Sequence, residues 1–161
     1  MLGEASGTQT SAVLRATRDG DAAGVRAALD AGGNWLIDLD QSLVLASGNG
    51  YVEIVRMLLE AGAYVQTSDD NPLRTASRYG LTEIVRILLD AGANVHAQDD
   101  NALRWAAYHG HGGVVHMLLA AGARWDRIPD WALSEIAEIA AERRDPWLRD
   151  ILRAMIPGGE S

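Results

Sequence analysis

The chain of 161 residues contains no cysteine, and this absence excludes several kinds of site at once. Disulfide bonds, thiolate metal sites and cysteine nucleophiles all require the missing thiol. A chain without cysteine also agrees with a reducing compartment, where disulfides are rare. We therefore expect a cytoplasmic protein.

Long apolar runs are also absent. No stretch of about 18 apolar residues occurs, so no segment predicts a membrane-spanning helix. The start, MLGEASGTQTS, has neither a basic nor an apolar segment, which predicts that the protein is not exported by a signal peptide. The formal net charge of -8 repels phosphate backbones and anionic lipid. We therefore expect a soluble protein with no nucleic-acid partner and no membrane partner.

What the chain does contain is a sequence repeat with a period of thirty residues. The segment NPLRTASRYGLTEIVRILLDAGAN at 71–94 aligns with NALRWAAYHGHGGVVHMLLAAGAR at 101–124. Columns of identical residues extend the repeat to four copies: Ala16, Ala46, Ala76 and Ala106; Gly20, Gly50, Gly80 and Gly110; Val25, Val55, Val85 and Val115; Leu29, Leu59, Leu89 and Leu119; Gly32, Gly62, Gly92 and Gly122. Such a period indicates stacked repeats that bury apolar surface against one another.

Each copy predicts two helices joined by a tight turn. In the copy that begins at Asn71, the Asn-Pro pair predicts an N-cap followed by proline at the first helical position of helix A. Gly80 ends helix A in a left-handed conformation, and helix B runs from about Thr82 to Ala91. The inward faces are formed by Leu73, Ala76 and Ser77 on helix A and by Ile84, Val85, Leu88 and Leu89 on helix B.

The outer face of helix B is predicted to be polar. Glu83, Arg86 and Asp90 are spaced as exposed ion pairs within one helix. In the fourth copy Gly112 and Gly113 stand at the start of helix B, where each weakens the helix by up to about 1 kcal/mol relative to alanine. The start of helix B in the fourth copy is therefore a candidate weak point.

The period also predicts the organisation of the chain. Ser11 suits an N-cap for the first helix, and the period breaks after Trp125, where new helices are predicted from Trp131 to about Ala141 and from Trp147 to about Ile156. We predict a flexible N-terminus at 1–10, a capping repeat at 11–38, repeats at 39–68, 69–98 and 99–128, a C-terminal helical cap at 129–157 and a tail at 158–161.

These residues resemble ankyrin repeats. NPLRTASRYG and NALRWAAYHG are similar to the family's T-P-L-H-x-A-A-x-x-G, and EIVRILLDAGANV is similar to its second helix and exit turn. The unit is shorter than the usual one, and the missing residues fall at the finger tip, where D-x-x-G-x-T would stand. The resemblance implies an all-α solenoid of stacked helix-turn-helix units with short finger turns and a helical C-terminal cap.

The same resemblance implies a non-catalytic module that binds a partner protein on the concave groove formed by the fingers and helix A, as an adaptor or an inhibitor. The two residues before each helix A glycine are implied to face this groove: Arg18 and Asp19, Gly48 and Asn49, Arg78 and Tyr79, Tyr108 and His109. These columns vary while the scaffold columns barely change. Tyr79 and Tyr108 have the composition of binding hot spots, although exposed helix ends would also explain them.

Other positions have two interpretations each. The finger residues Asp40, Asp70 and Asp100 form an acidic row for a basic partner, or they stabilise their own turns. Trp105 is a groove anchor, or it packs against the adjacent repeat, which we favour. Arg74 and Arg104 project into the groove, or they connect helix A to the acidic fingers, which we also favour.

No catalytic motif stands out. The histidines, His96, His109, His111 and His116, do not have metal-ligand spacing, and no nucleophile elbow, phosphate loop or dinucleotide fingerprint occurs. We expect no catalytic residue, metal or cofactor. A monomer is predicted, with a homodimer through the caps or the backs of helix B as the alternative. Trp131 and Trp147 would form that dimer interface, but we favour their packing on the fourth repeat.

Overall fold

The computed structural model describes residues 11–32 and 36–142, with the isolated positions 146, 149, 150 and 153. Over these residues it has nine α-helices, one 3-10 turn and no strand, which confirms the all-α prediction. The helices are α1 Ala12–Asp19, α2 Ala22–Asp30, α3 Leu36–Asn49, α4 Val52–Glu60, α5 Thr67–Arg78, α6 Thr82–Asp90, α7 Ala97–Tyr108, α8 Gly112–Ala120 and α9 Asp130–Glu142, with the 3-10 turn at Trp125–Arg127. Within the described part of the chain, none of these helices has the length and apolarity needed to cross a bilayer.

The helices form two rows. The A helices, α1, α3, α5, α7 and α9, pack side by side, and the B helices, α2, α4, α6 and α8, form a second row behind them. Each B helix packs on the A helix that precedes it. The helix predicted from Trp131 therefore continues the A row by packing on α7. Of the second predicted cap helix only positions 149, 150 and 153 are described, and all three are helical. The first ten residues and the tail lie outside the described residues, and the boundaries of the individual repeats stay predictions.

Local signals explain where the helices begin and end. The Ser11 hydroxyl accepts a hydrogen bond from the Leu14 N–H at 3.2 Å, as predicted for an N-cap. Gly80 has a φ of 69° and ends α5, which confirms its left-handed conformation. Helix α6 has the predicted start at Thr82 and ends one residue before the predicted end.

The core lies between the two rows, where apolar side chains of neighbouring pairs meet. Leu73, Ala76, Ile84, Val85 and Leu88 are almost completely buried, as their periodic spacing predicts. Val95 and Trp125, which stand thirty residues apart after α6 and α8, are buried as well and close the core at one end. The stack is thus held together by apolar surface that no single helix pair could cover alone.

Side chains of the following pair also cover glycines of the A row. A Cβ atom built on Gly20 would lie 2.9 Å from the Tyr51 ring, and one on Gly80 would lie 2.5 Å from His111 Nδ1. Leu81 stands opposite Gly50 in the same way, at 3.5 Å. Each contact joins one A-helix end to the first residue after the next A-helix glycine. These glycines therefore allow the neighbouring pair to approach closely, in addition to forming the turn.

The predicted cap at Asn71 is wrong. Helix α5 spans Thr67–Arg78, so Pro72 lies inside it, but Ser68 near its start has a left-handed φ of 51°. The Asn71 side-chain oxygen accepts hydrogen bonds from the side chains of Arg74, at 3.0 Å, and Thr75, at 2.8 Å. It is therefore used by side chains and not by the backbone N–H groups of the first turn.

The short finger before the regular part of α7 is built from left-handed backbone. Gln98, Asp99 and Asp100 have φ values of 50°, 56° and 56°. Aspartate and asparagine tolerate this region better than most residues, because their short side chains can hydrogen-bond locally. Three consecutive left-handed residues therefore form the turn that leads into the regular part of α7.

The outer faces of the B helices carry ion pairs between neighbouring helices, not within one helix as predicted. Arg26 of α2 lies 3.8 Å from Glu53 of α4, and Arg56 of α4 lies 3.1 Å from Glu83 of α6. The two pairs have the same spacing along the chain. The same spacing from Arg86 of α6 reaches Gly113 of α8, which has no side chain that could form a third ion pair.

Replacing Gly113 with glutamate is expected to raise the free energy of unfolding by about 1 kcal/mol. A Cβ atom built at this exposed position meets nothing within 4 Å. Glutamate favours helix more than glycine does, suits the first turn of α8, and would extend the ion-pair series to Arg86. Urea denaturation followed by far-ultraviolet circular dichroism measures the change.

Gly113→Gln is the matched control, because it gains helix propensity without adding charge. It should show most of the gain, and the remaining difference from Gly113→Glu should disappear at high salt. A Gly113→Glu variant no more stable than the parent would show that the start of α8 is not a weak point.

Candidate protein-binding groove

The groove residues predicted on α5 and α7 come together in one cluster. The Arg78 guanidinium carbon lies 4.7 Å from the centre of the Trp105 ring and 5.8 Å from the centre of the Tyr79 ring. Both distances are within the range of cation–π contact. Tyr79 is 56% exposed although it belongs to this cluster. The end of α5 therefore presents a cation and an exposed ring beside the tryptophan of the next A helix.

Trp105 lies at the centre of the cluster. Its ring is stacked on that of His109, with centroids 5.6 Å apart and an angle of 16° between the planes. Tyr108 meets Trp105 edge to face at 6.0 Å and His109 in the same manner at 5.2 Å. Trp105 is half-buried, so it both packs against the preceding A helix through Arg78 and leaves part of its ring on the surface.

Two cavities along the A row share residues of this cluster. The first, of about 360 Å³, lies between α5 and α7 and is lined by Asn71, Arg74, Thr75, Arg78, Tyr79, Asn101, Arg104 and Trp105. The second, of about 260 Å³, lies between α7 and α9 and is lined by Arg104, Trp105, Tyr108, Trp131 and Ala132. Because Arg104 and Trp105 line both, the two cavities adjoin, and we call them together the groove.

The predicted packing of Trp131 on the fourth repeat is wrong. Trp131 is 65% exposed, and it lines the second cavity together with Trp105 and Tyr108. A signal in the sequence could have placed it there. The segment Trp131-Ala132-Leu133 continues the thirty-residue register from Asn101-Ala102-Leu103, and Asn101 lines the first cavity. Trp147 lies outside the described residues.

Arg74 and Arg104 of the A row hydrogen-bond amide side chains and, among the described side chains, no acidic ones. Arg74 donates hydrogen bonds to Asn71 Oδ1, at 3.0 Å, and to Gln98 Oε1 of the next finger. Arg104 donates to Asn101 Oδ1 at 3.0 Å. The predicted connection to the fingers is therefore present for Arg74, and among the described side chains it uses Gln98 and no acidic residue.

The acidic row is also not a row of exposed carboxylates. Asp100 is fully buried, with one oxygen 2.9 Å from His96 Nδ1 and the other 3.4 Å from Arg127 Nε. Asp40 is half-buried and accepts a hydrogen bond from the Tyr64 backbone N–H at 2.7 Å. Asp70 lies in α5, and its side chain is outside the described residues. The prediction that Asp100 faces a basic partner is therefore wrong, because the third finger uses it internally.

Three predicted groove residues lie away from the cluster. Arg18 and Asp19 are exposed at the end of α1, and Asn49 is exposed at the end of α3. The Asn49 side chain donates a hydrogen bond to the Leu45 carbonyl oxygen of its own helix at 2.8 Å. No contact among the described residues joins these three side chains to Trp105 and its neighbours, so the cluster belongs to the C-terminal half of the stack.

Comparison with known proteins agrees with this architecture. Residues 43–128, more than half of the chain, match the model of a family described as ankyrin repeats, in three copies. The chain belongs to the ankyrin-repeat family. Ankyrin repeats form an all-α solenoid and mediate protein–protein interaction without catalysis. The search of curated proteins finds no match to this ankyrin chain.

The ankyrin fingers form a further cavity, apart from the groove. It has a volume of about 790 Å³ and is lined by Tyr64, Gln66, Thr67, Ser68, Asn94, His96, Ala97 and Gln98. Its walls are mostly amides and hydroxyls, and the Gln66 side chain donates to the Gly92 carbonyl oxygen at 3.0 Å. In the described part of this ankyrin chain, no three histidine or acidic side chains are grouped as metal ligands.

Proposed function

We propose that this ankyrin stack is a non-catalytic module that binds a partner protein in the groove, as an adaptor or an inhibitor. One observation carries the proposal: the large aromatic side chains that the A row leaves exposed are gathered around two adjoining cavities. Tyr79 and Trp131 are more than half exposed, and Trp105 and Tyr108 lie between them. Exposed clusters of this kind mark interaction sites on soluble proteins.

The groove has the features of a binding hot spot. Tryptophan, tyrosine and arginine dominate interface energetics, because they provide much contact area and lose few rotamers on binding. Here these residues stand on helices whose inner faces are fixed in the core, so their positions are already set before a partner arrives. A groove of this kind fits a contact of about 800 Å² on each partner.

Replacing Tyr79 and Tyr108 together with alanine is expected to weaken the partner complex by about 2 kcal/mol, because two rings of the hot spot are removed. The partner is first recovered with the parent chain by affinity purification from the source organism. Isothermal titration calorimetry then compares the parent with the double variant, and the thermal midpoint shows that the variant is folded.

The matched control replaces Arg86 and Asp90 with alanine on the exposed outer face of α6. This pair should bind the partner as the parent does. If the tyrosine variant also binds like the parent, the groove is not the binding surface.

A second candidate is an architectural or homo-oligomerising protein, and the exposure of Trp131 favours it. In that case a second copy would cover the 65% of this side chain that is now open. Light scattering over a wide concentration range separates the two candidates, since a chain that stays monomeric removes this one. Either function is compatible with the cytoplasm, which we propose as the compartment because the chain lacks cysteine.

A further inference from the structure

We propose that the groove binds an acidic segment of a partner protein that also carries one large apolar side chain. The inference rests on the proposed function and names the chemistry of its ligand. It follows from the charges of the first cavity, the shape of the second cavity, and the charge of the chain as a whole.

The first cavity contains arginine charges that no described carboxylate neutralises. Arg74 and Arg104 donate to the amide oxygens of Asn71, Gln98 and Asn101. Such neutral acceptors orient a guanidinium group but leave its charge unmatched. Each guanidinium has five N–H donors, so donors remain after these bonds are made.

Arg78 is held in a way that favours an anion. Its guanidinium lies over the Trp105 ring, and a ring face supports the cation without using its N–H groups. The donors at the edge of the guanidinium plane stay available, and their fork geometry matches a carboxylate in bidentate fashion. The chain contains no lysine, and its 14 Lys-or-Arg positions are all arginines. Each of these cations therefore has the fork of N–H donors that matches a carboxylate.

The second cavity suits an apolar side chain. It is walled by Trp105, Tyr108 and Trp131 and has a volume of about 260 Å³. A cavity of about 150 Å³ accommodates benzene, so this one has room for a leucine or phenylalanine side chain. Because Arg104 and Trp105 line both cavities, the acidic and apolar side chains of the ligand must lie close together in its chain.

The charge of the rest of the molecule argues for a short acidic segment and against a long polyanion. The net charge is -8, so the three arginines form a local positive site on a negative protein. A few carboxylates placed at this site meet cations, whereas a nucleic acid extending beyond it meets repulsion. Charge complementarity is therefore local, as specific recognition requires.

The test is a selection with a random peptide library displayed on phage, using the full chain as bait. Enriched peptides should contain an excess of aspartate and glutamate next to a leucine or an aromatic residue. An enriched peptide, made synthetically with a fluorescent label, should bind at least about tenfold more weakly to Arg78→Gln combined with Arg104→Gln, and more weakly at high salt. Arg86→Gln, which removes one exposed charge from α6, should bind it as the parent does.

The other outcomes separate the two proposals. Enriched peptides without an acidic excess that still depend on Tyr79 and Tyr108 would overturn the acidic ligand and leave groove binding in place. Tighter binding of single-stranded DNA than of any peptide would overturn the protein ligand. If no peptide binds in a way that depends on the groove residues, both this inference and the proposed function fail. Thermal midpoints of all variants confirm that the losses do not come from unfolding.

Discussion

Replacing Gly80 with alanine is expected to lower the free energy of unfolding by about 3 kcal/mol. The backbone φ of 69° is left-handed, which costs a residue with a Cβ atom roughly 1 to 2 kcal/mol. The new methyl group would also lie 2.5 Å from His111 Nδ1 and displace that ring. The ring makes a hydrogen-bond contact of 3.0 Å with the Arg78 carbonyl oxygen, and its loss adds about 1 kcal/mol. Urea denaturation measures the sum.

Gly32→Ala is the matched control, because Gly32 has a φ of 73° and, apart from its chain neighbours, no atom of the described residues lies within 4 Å of the position that its new methyl group would take. It should show only the conformational part of the loss, about 1 to 2 kcal/mol. Adding His111→Ala to the Gly80→Ala variant should remove the steric part. Equal losses at the two glycines would show that the histidine ring moves aside freely and does not fasten α7 and α8 to α5.

Replacing Arg127 with alanine is expected to lower the free energy of unfolding by about 2 to 3 kcal/mol, much more than is usual for a half-exposed arginine. The reason lies in its neighbour Asp100, which is fully buried and whose other ion-pair contact among the described residues is with His96. Leaving a charge buried without its partner costs several kcal/mol, and the partial exposure of Arg127 reduces that figure. Thermal and urea denaturation measure the loss.

Adding Asp100→Asn should recover much of the stability lost in Arg127→Ala, because asparagine tolerates the left-handed backbone and leaves no charge buried. If the double variant is less stable than Arg127→Ala, the buried charge is not the cause of the loss.

Arg124 provides a surface comparison close by. Its guanidinium hydrogen-bonds the Asp126 carboxylate, which lowers the pKa of Asp126 below its ordinary value, but both groups are exposed. A lowered carboxyl pKa stabilises the fold above the ordinary pKa, and this contribution is lost as the pH falls through the lowered one. Arg124→Ala should therefore cost less than Arg127→Ala, and its small effect should vanish in acid.

The stack can be predicted because its signals are local. The glycines at the positions of Gly80 and Gly92 end a helix in each copy. The spacing of Ile84, Val85 and Leu88 defines a buried face within one helix. The finger at Asp100 cannot be predicted in this way. Its burial depends on Arg127, which follows much later in the sequence, and on three left-handed residues that no simple pattern indicates.

The groove can be predicted only in part, for the same reason. Register alone places Arg78, Tyr79, Tyr108 and His109 at the ends of A helices, and the structure brings these four together around Trp105. Register does not say which end of the stack carries the adjoining cavities. It therefore predicts Arg18, Asp19 and Asn49 as groove residues just as strongly as the four that form the cluster. Because the repeat pattern ends after Trp125, the sequence does not place Trp131 in the groove. The structure does, since α9 continues the A row by packing on α7.

The covering of each glycine by the next helix pair bears on how such a chain can grow by gene duplication. If residues 71–100 were copied in tandem, the contacts Gly50 with Leu81 and Gly80 with His111 would both survive, one in each copy. The single new junction would set Gly80 against a second Leu81, a combination already accommodated at Gly50. At these glycines, lengthening by a whole period therefore introduces no new pairing of residue types, whereas exchanging copies for one another would.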